Sequence, residues 1–219
     1  MNKKINIHTI ISILKKETQK FTVPVVTQYS QEKRDPFKIL ISTLLSLRTK
    51  DQTTAKATER LFMLANSPKT MLKLSEKQIQ TAVYPVGFYI TKAKRIKEIC
   101  KLLIEKHHNI VPNTMDELLT LPGVGRKTAN LVLTKGYNKL GICVDIHVHR
   151  ISNRLGYVKT KTPEETEFIL RKKLPTQYWK VYNDYLVAYG QNICKPISPF
   201  CSKCVINRYC KKIGVTNRR

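Results

Sequence analysis

Helix start signals recur along this chain at short intervals, and little competes with them. Pro36 follows Asp35 at a first-turn position, and Ser67-Pro68 and Thr162-Pro163 read as an N-cap with proline at the first helical residue. Ser75-x-x-Gln78, Thr114-x-x-Glu117 and Thr162-x-x-Glu165 fit the capping box. Asp51 is placed to cap the helix that follows it. Behind Pro36, the residues Phe37, Leu40, Ile41, Leu44 and Leu45 recur with helical spacing and make one apolar face. Ile96, Ile99, Cys100 and Leu103 form a second stripe. The only plausible extended run is 22–29, where Pro24 argues against a central strand. The expectation is about ten short helices with tight connections, an all-α protein.

Charge narrows what such a protein does. The 219 residues include 40 Lys+Arg and 15 Asp+Glu, a net +25. Hydrophobic residues make up 42%, enough for a core, so the charge sits on a folded body. From Ile169 to Arg219 the single acid Asp184 stands beside eleven basic residues. A short basic run is normally a solvated face; one this long, in a chain this basic, points to nucleic acid. The longest stretch without a charged side chain, Gln78 to Thr91, has fourteen residues and contains Pro85. A membrane span needs about 18 or more apolar residues, so none is expected. The amino-terminal residues lack an apolar signal core, which implies an intracellular protein, nucleoid-associated if it binds DNA. Disulfides are rare there, so six cysteines need another explanation.

Three motifs carry chemistry. Leu121-Pro122-Gly123-Val124-Gly125-Arg126-Lys127-Thr128-Ala129 lies between two helical segments, where glycines can take φ > 0 and expose backbone amides to a phosphate. An ordinary helix-helix corner has similar residues. Lys127 follows the turn beside Arg126; a lysine there serves either as a nucleophile, attacking as the free amine, or as a phosphate contact. Asp145 lies eighteen residues on, in Val144-Asp145-Ile146-His147-Val148-His149-Arg150. A carboxylate there stabilises positive charge on a sugar as a glycosidic bond breaks, or simply caps a helix and pairs with Arg150. Cys194, Cys201, Cys204 and Cys210 fall within seventeen residues, a metal-site spacing that on its own leaves zinc and iron–sulfur both open.

Together these segments resemble the endonuclease III type of helix-hairpin-helix DNA glycosylases. The resemblance runs roughly from Asp35 to Cys210 and includes Leu44-Leu45-Ser46-Leu47-Arg48-Thr49-Lys50-Asp51 and Gly87-Phe88-Tyr89-x-x-Lys92-Ala93. It implies two helical domains flanking a DNA-binding cleft: a six-helix domain at 29–139 with its hairpin at about 114–136, and a second built from 1–28 plus 140–219. It implies Lys127 as Schiff-base nucleophile, Asp145 as catalytic carboxylate, and a [4Fe–4S] cluster on the four cysteines. Implied DNA contacts are Gly123, Val124, Gly125, Arg126, Arg48 and Lys92, with Arg48 filling the gap left by a flipped base or else touching phosphate. Many members carry glutamine at the position of Arg48. Adenine-removing relatives carry glutamate where this chain has Thr43. The implied activity is removal of oxidised pyrimidines from double-stranded DNA by a monomer, followed by strand nicking at the abasic site. Alternatives are a glycosylase for alkylated or mismatched bases and a non-catalytic, zinc-stabilised DNA-binding protein. Cys100 and Cys143 are read as packing residues.

Overall fold

A computed structural model describes residues 6–21 and 34–219. The run 22–29 and the boundary at 28/29 lie outside them. Among the described residues there is no strand, and eleven α-helices account for most of the chain. None is long and apolar enough to cross a membrane.

The chain divides into two units, Pro24–Gly141 and Met1–Val23 with Ile142–Arg219. In the contiguous unit the helices are α2 (Pro36–Ser46), α3 (Asp51–Leu64), α4 (Pro68–Lys73), α5 (Glu76–Val83), α6 (Tyr89–Lys106), α7 (Met115–Leu119) and α8 (Arg126–Leu131). Most of the predicted caps form, although Thr114 and Thr162 accept from the amides of Glu117 and Glu165 without the return bond of a capping box. Asp35 accepts from the amides of Phe37 and Lys38, and Ser67 and Ser75 close reciprocal boxes with Thr70 and Gln78. Asp51 differs from expectation. Lys50 is the N-cap of α3, and Asp51 lies in the first turn, where its charge suits the positive end of the helix. Helix α2 is the centre of this unit: Ile39, Leu40, Ile41, Leu44 and Leu45 are fully buried. Burying each contributes about 1.5–3 kcal/mol. It packs against α3, α8 and a π-helical turn at Val132–Gly136. A Cβ on Gly136 would come within 3.1 Å of Pro36, so glycine permits that approach.

The second unit contains α1 (Ile7–Thr18), α9 (Ile146–Arg154), α10 (Pro163–Lys173) and α11 (Trp179–Asn192), followed by a loop with a short 3₁₀ turn at Asn207–Tyr209. Helix α11 packs against α1 and α9, burying Tyr182 and Tyr189 with Ile10 and Leu14.

Candidate active site

The hairpin between α7 and α8 is built from local bonds. Thr114 caps α7 by accepting from the Glu117 amide. The Leu121 amide donates to Leu118 O at 3.2 Å and the Val124 amide to Leu121 O at 3.1 Å. Leu121 and Val124 are buried and anchor the turn, whereas Gly123 and Gly125 are exposed at its tip. The two glycines differ. Gly123 takes φ +78°, and a Cβ there would lie 2.9 Å from Arg95 Nη1. Gly125 does not adopt positive φ: at −100° its backbone is extended, and a Cβ would meet nothing within 4 Å. A side chain there would project into open space beside the exposed main chain. Neither glycine amide has a protein acceptor among the described residues. Lys127 is half-buried in the first turn of α8.

In the other unit, Asp145 is the N-cap of α9. Its Oδ1 accepts from the His147 amide at 2.8 Å and the Val148 amide at 2.9 Å. Oδ2 takes no hydrogen bond from the described residues, and the side chain is 9% exposed. Arg150, its partner in the reading of Asp145 as a cap alone, makes its hydrogen bonds elsewhere. Its guanidinium donates to Cys194 O at 2.8 Å and Gly190 O at 3.3 Å, binding the end of α11.

Arg48 is exposed after α2 with φ +55°, its guanidinium 5.6 Å from the ring centroid of Phe88. Lys92 corrects an expectation. Placed among the DNA contacts from its motif, it is 5% exposed, and its ammonium donates to Leu45 O, Leu47 O and Thr49 Oγ1. Burial lowers its pKa to about 8. It supports the loop that bears Arg48.

The four clustered cysteines form no disulfide and are half-buried, Cys194, Cys204 and Cys210 packing against the second core. Arg154 Nη1 donates to Cys194 Sγ at 3.4 Å, Tyr189 Oη to Cys204 Sγ at 3.1 Å, and the Lys212 amide to Cys210 Sγ at 3.3 Å. Burial raises the thiol of Cys210 to about 11, and the neighbouring thiols of Cys204, Cys194 and Cys201 push the same way. Cys204 is raised too, first by burial. Among the described residues no three His, Cys, Asp or Glu side chains are grouped to hold a single metal ion.

A family model described as "HhH-GPD superfamily base excision DNA repair protein" matches residues 41–176. The chain belongs to this superfamily. Endonuclease III of Thermotoga maritima is 47% identical over 182 residues, 83% of this chain and 85% of that protein. Endonuclease III homolog 2 of Arabidopsis thaliana is 45% identical over 183 residues, 80% of this chain and 47% of that longer protein. The solved structure of a trapped endonuclease III–DNA covalent intermediate is 31% identical, with a TM-score of 0.85 and 97% of each chain covered. The chain is thus an HhH-GPD DNA glycosylase and abasic-site lyase of base excision repair.

Two features of this HhH-GPD chain escaped sequence reasoning. Phe88 is 61% exposed with φ +59°, an aromatic held open beneath Arg48. Its position between Gly87 and Tyr89, in a segment that resembles the family, was the available signal. Arg95 lies against the hairpin at Gly123 from α6, and no local pattern links those positions.

Proposed function

We propose that this enzyme removes oxidised pyrimidines from double-stranded DNA and nicks the strand at the resulting abasic site, with Lys127 as nucleophile and Asp145 as the catalytic carboxylate. The observation that carries this is the division of labour at Asp145. One oxygen satisfies the helix, and the other takes no donor among the described residues. A buried carboxylate with a spare oxygen suits a reaction that builds positive charge on a sugar.

The steps follow from the groups. The damaged nucleotide leaves the stack, while the open amides at Gly123 and Gly125, with Arg126, hold the backbone phosphate; Val124, expected among the DNA contacts, is buried with its amide already given to Leu121 O. Arg48 fills the vacated space and meets the orphan base through its planar guanidinium. The Lys127 amine attacks C1′, the C1′–N bond breaks, and its electron pair leaves with the base. Asp145 stabilises the cationic sugar and takes the proton released from the attacking nitrogen. The sugar ring opens to a Schiff base, a proton leaves C2′, and the C3′–O bond breaks by β-elimination. Water then frees the lysine.

The sulfur environment fits an iron–sulfur group. Four thiols cluster, and the described donors reach three of their sulfurs, the kind of hydrogen bonding that supports thiolate ligands. Cys194, Cys201, Cys204 and Cys210 would hold a [4Fe–4S] cluster, which when bound cross-links the loop carrying Lys195, Lys203 and Arg208. The substrate reading draws on Lys127 itself and on Thr43. Thr43 is fully buried in α2, at the position where adenine-removing relatives carry glutamate. The working form is a monomer on damaged duplex DNA.

The test uses duplexes bearing thymine glycol, uracil opposite guanine, alkylated adenine or an abasic site, each with and without borohydride. Thymine glycol and abasic duplexes should give a covalent adduct that Lys127→Ala abolishes. An adduct surviving Lys127→Ala removes the nucleophile assignment. Release of alkylated adenine without action on thymine glycol overturns the substrate assignment.

A further inference from the structure

Beneath the loop that bears Arg48 sits one buried cation. Lys92 Nζ donates to Leu45 O at 2.8 Å, Leu47 O at 2.6 Å and Thr49 Oγ1 at 3.3 Å. The two carbonyls lie at the C-terminal end of α2, the negative end of its dipole. All three partners are neutral oxygens, and none is a carboxylate. Thr49 Oγ1 also accepts from the Gly87 amide at 3.1 Å, so the turn leading into α6 is tied to the same loop. The two segments are in close contact: a Cβ on Gly87 would lie 2.8 Å from Arg48 O.

Two strained residues sit on this clamp. Arg48 at φ +55° and Phe88 at φ +59° are both non-glycine residues in the left-handed region. Such conformations persist where surrounding bonds over-determine them. Here the ammonium, the threonine hydroxyl and the glycine contact supply those restraints, and the exposed guanidinium rests 5.6 Å from the Phe88 centroid.

We propose that Lys92 is a positioning residue for lesion recognition, acting through Arg48 by fixing the 47–50 loop so that the guanidinium is presented preformed to the orphan base. This rests on the reading of Arg48 as the gap-filling residue. The physical basis is preorganisation. A loop already ordered loses less conformational freedom when DNA binds, and a displaced contact group loses its geometry. The clamp therefore acts on binding and on the choice of opposite base, more than on bond cleavage once the lesion is seated.

The experiment compares Arg48→Ala, Lys92→Met and the double variant, measuring dissociation constants and single-turnover base release with each of the four opposite bases. Lys92→Met keeps the side-chain length and removes the donors. It should weaken lesion binding about tenfold or more and flatten the opposite-base preference, with the cleavage rate of bound duplex little changed. The double variant should be no worse than Arg48→Ala alone. If the two effects multiply instead, Lys92 acts independently of Arg48 and the proposal fails. It also fails if Lys92→Met folds with a wild-type urea midpoint and keeps wild-type discrimination while Arg48→Ala loses it. If Arg48→Ala leaves discrimination intact, the gap-filling reading itself falls. Should Lys92→Met not fold, Thr49→Val removes the hydroxyl shared by Lys92 and Gly87 and is held to the same outcomes.

Discussion

At Asp145 the helix cap uses one oxygen and the proposed chemistry would use the other, which makes the two duties separable. Asparagine caps a helix about as well as aspartate but carries no charge. Asp145→Asn should therefore leave the urea midpoint near wild type and slow base release by about 10²–10³-fold, the typical loss on removing one electrostatic stabiliser. Asp145→Ala should add a stability loss of about 1 kcal/mol from the missing cap. Single-turnover kinetics and denaturation on the same samples check both. Equal activity in the asparagine variant would reduce Asp145 to a structural residue. The cap at Asp145 was legible because its bonds reach only two and three residues ahead. The place of Lys92 was not. Its carbonyl partners lie 47 and 45 positions away, and a lysine in a DNA-binding motif looks the same whether it faces phosphate or the end of another helix.

At the scale of elements, the start of each helix was written in short-range chemistry and the contacts between helices were not. Ser67, Ser75, Thr114 and Thr162 each bond an amide three residues ahead, so spacing in the chain revealed them. The junction of α9 and α10 shows what spacing leaves out. His149 Nδ1 shares a hydrogen bond with Thr166 Oγ1 at 2.7 Å, and Thr166 Oγ1 lies 2.6 Å from Thr160 Oγ1. Burial lowers the pKa of His149 below its usual 6.5, with Glu165 opposing more weakly. The folded state thus favours the neutral ring, and the unfolded chain takes up the proton first as pH falls. The stabilisation is complete above about pH 6.5 and is lost progressively as pH drops from there toward the folded-state value. Urea midpoints should fall across that window, and His149→Gln should flatten this part of the profile. A variant with the wild-type slope would place the titration elsewhere.

Taken whole, the molecule has more bases than its acids can pair. Forty against fifteen leaves twenty-five cations without a carboxylate even in a one-to-one assignment. Several turn to main-chain oxygens instead. Besides Lys92, Lys97 reaches Leu72 O and Leu74 O at the end of α4, Arg60 reaches Ala82 O and Tyr84 O at the end of α5, and Arg154 holds Lys195 O and Pro196 O. The rest of the excess repels itself in the folded state and attracts DNA. Salt should therefore act in opposite directions on stability and on binding. Between about 50 and 200 mM the urea midpoint should rise as repulsion is screened, while DNA affinity falls with a slope of about −0.9 per phosphate contacted. Parallel denaturation and binding titrations check this, and a midpoint that drops with salt would contradict it.

The division of the chain also sets an order of events during synthesis. The unit from Pro24 to Gly141 is contiguous, and domains fold as units while the ribosome is still working. Helix α1 emerges before it yet packs against α11, and His8 meets Tyr178 across 170 positions. Helix α1 therefore waits for α11, made long after it. The half that carries Lys127 can mature on the nascent chain, whereas the half that carries Asp145 and the four thiols closes only after translation has passed Cys210.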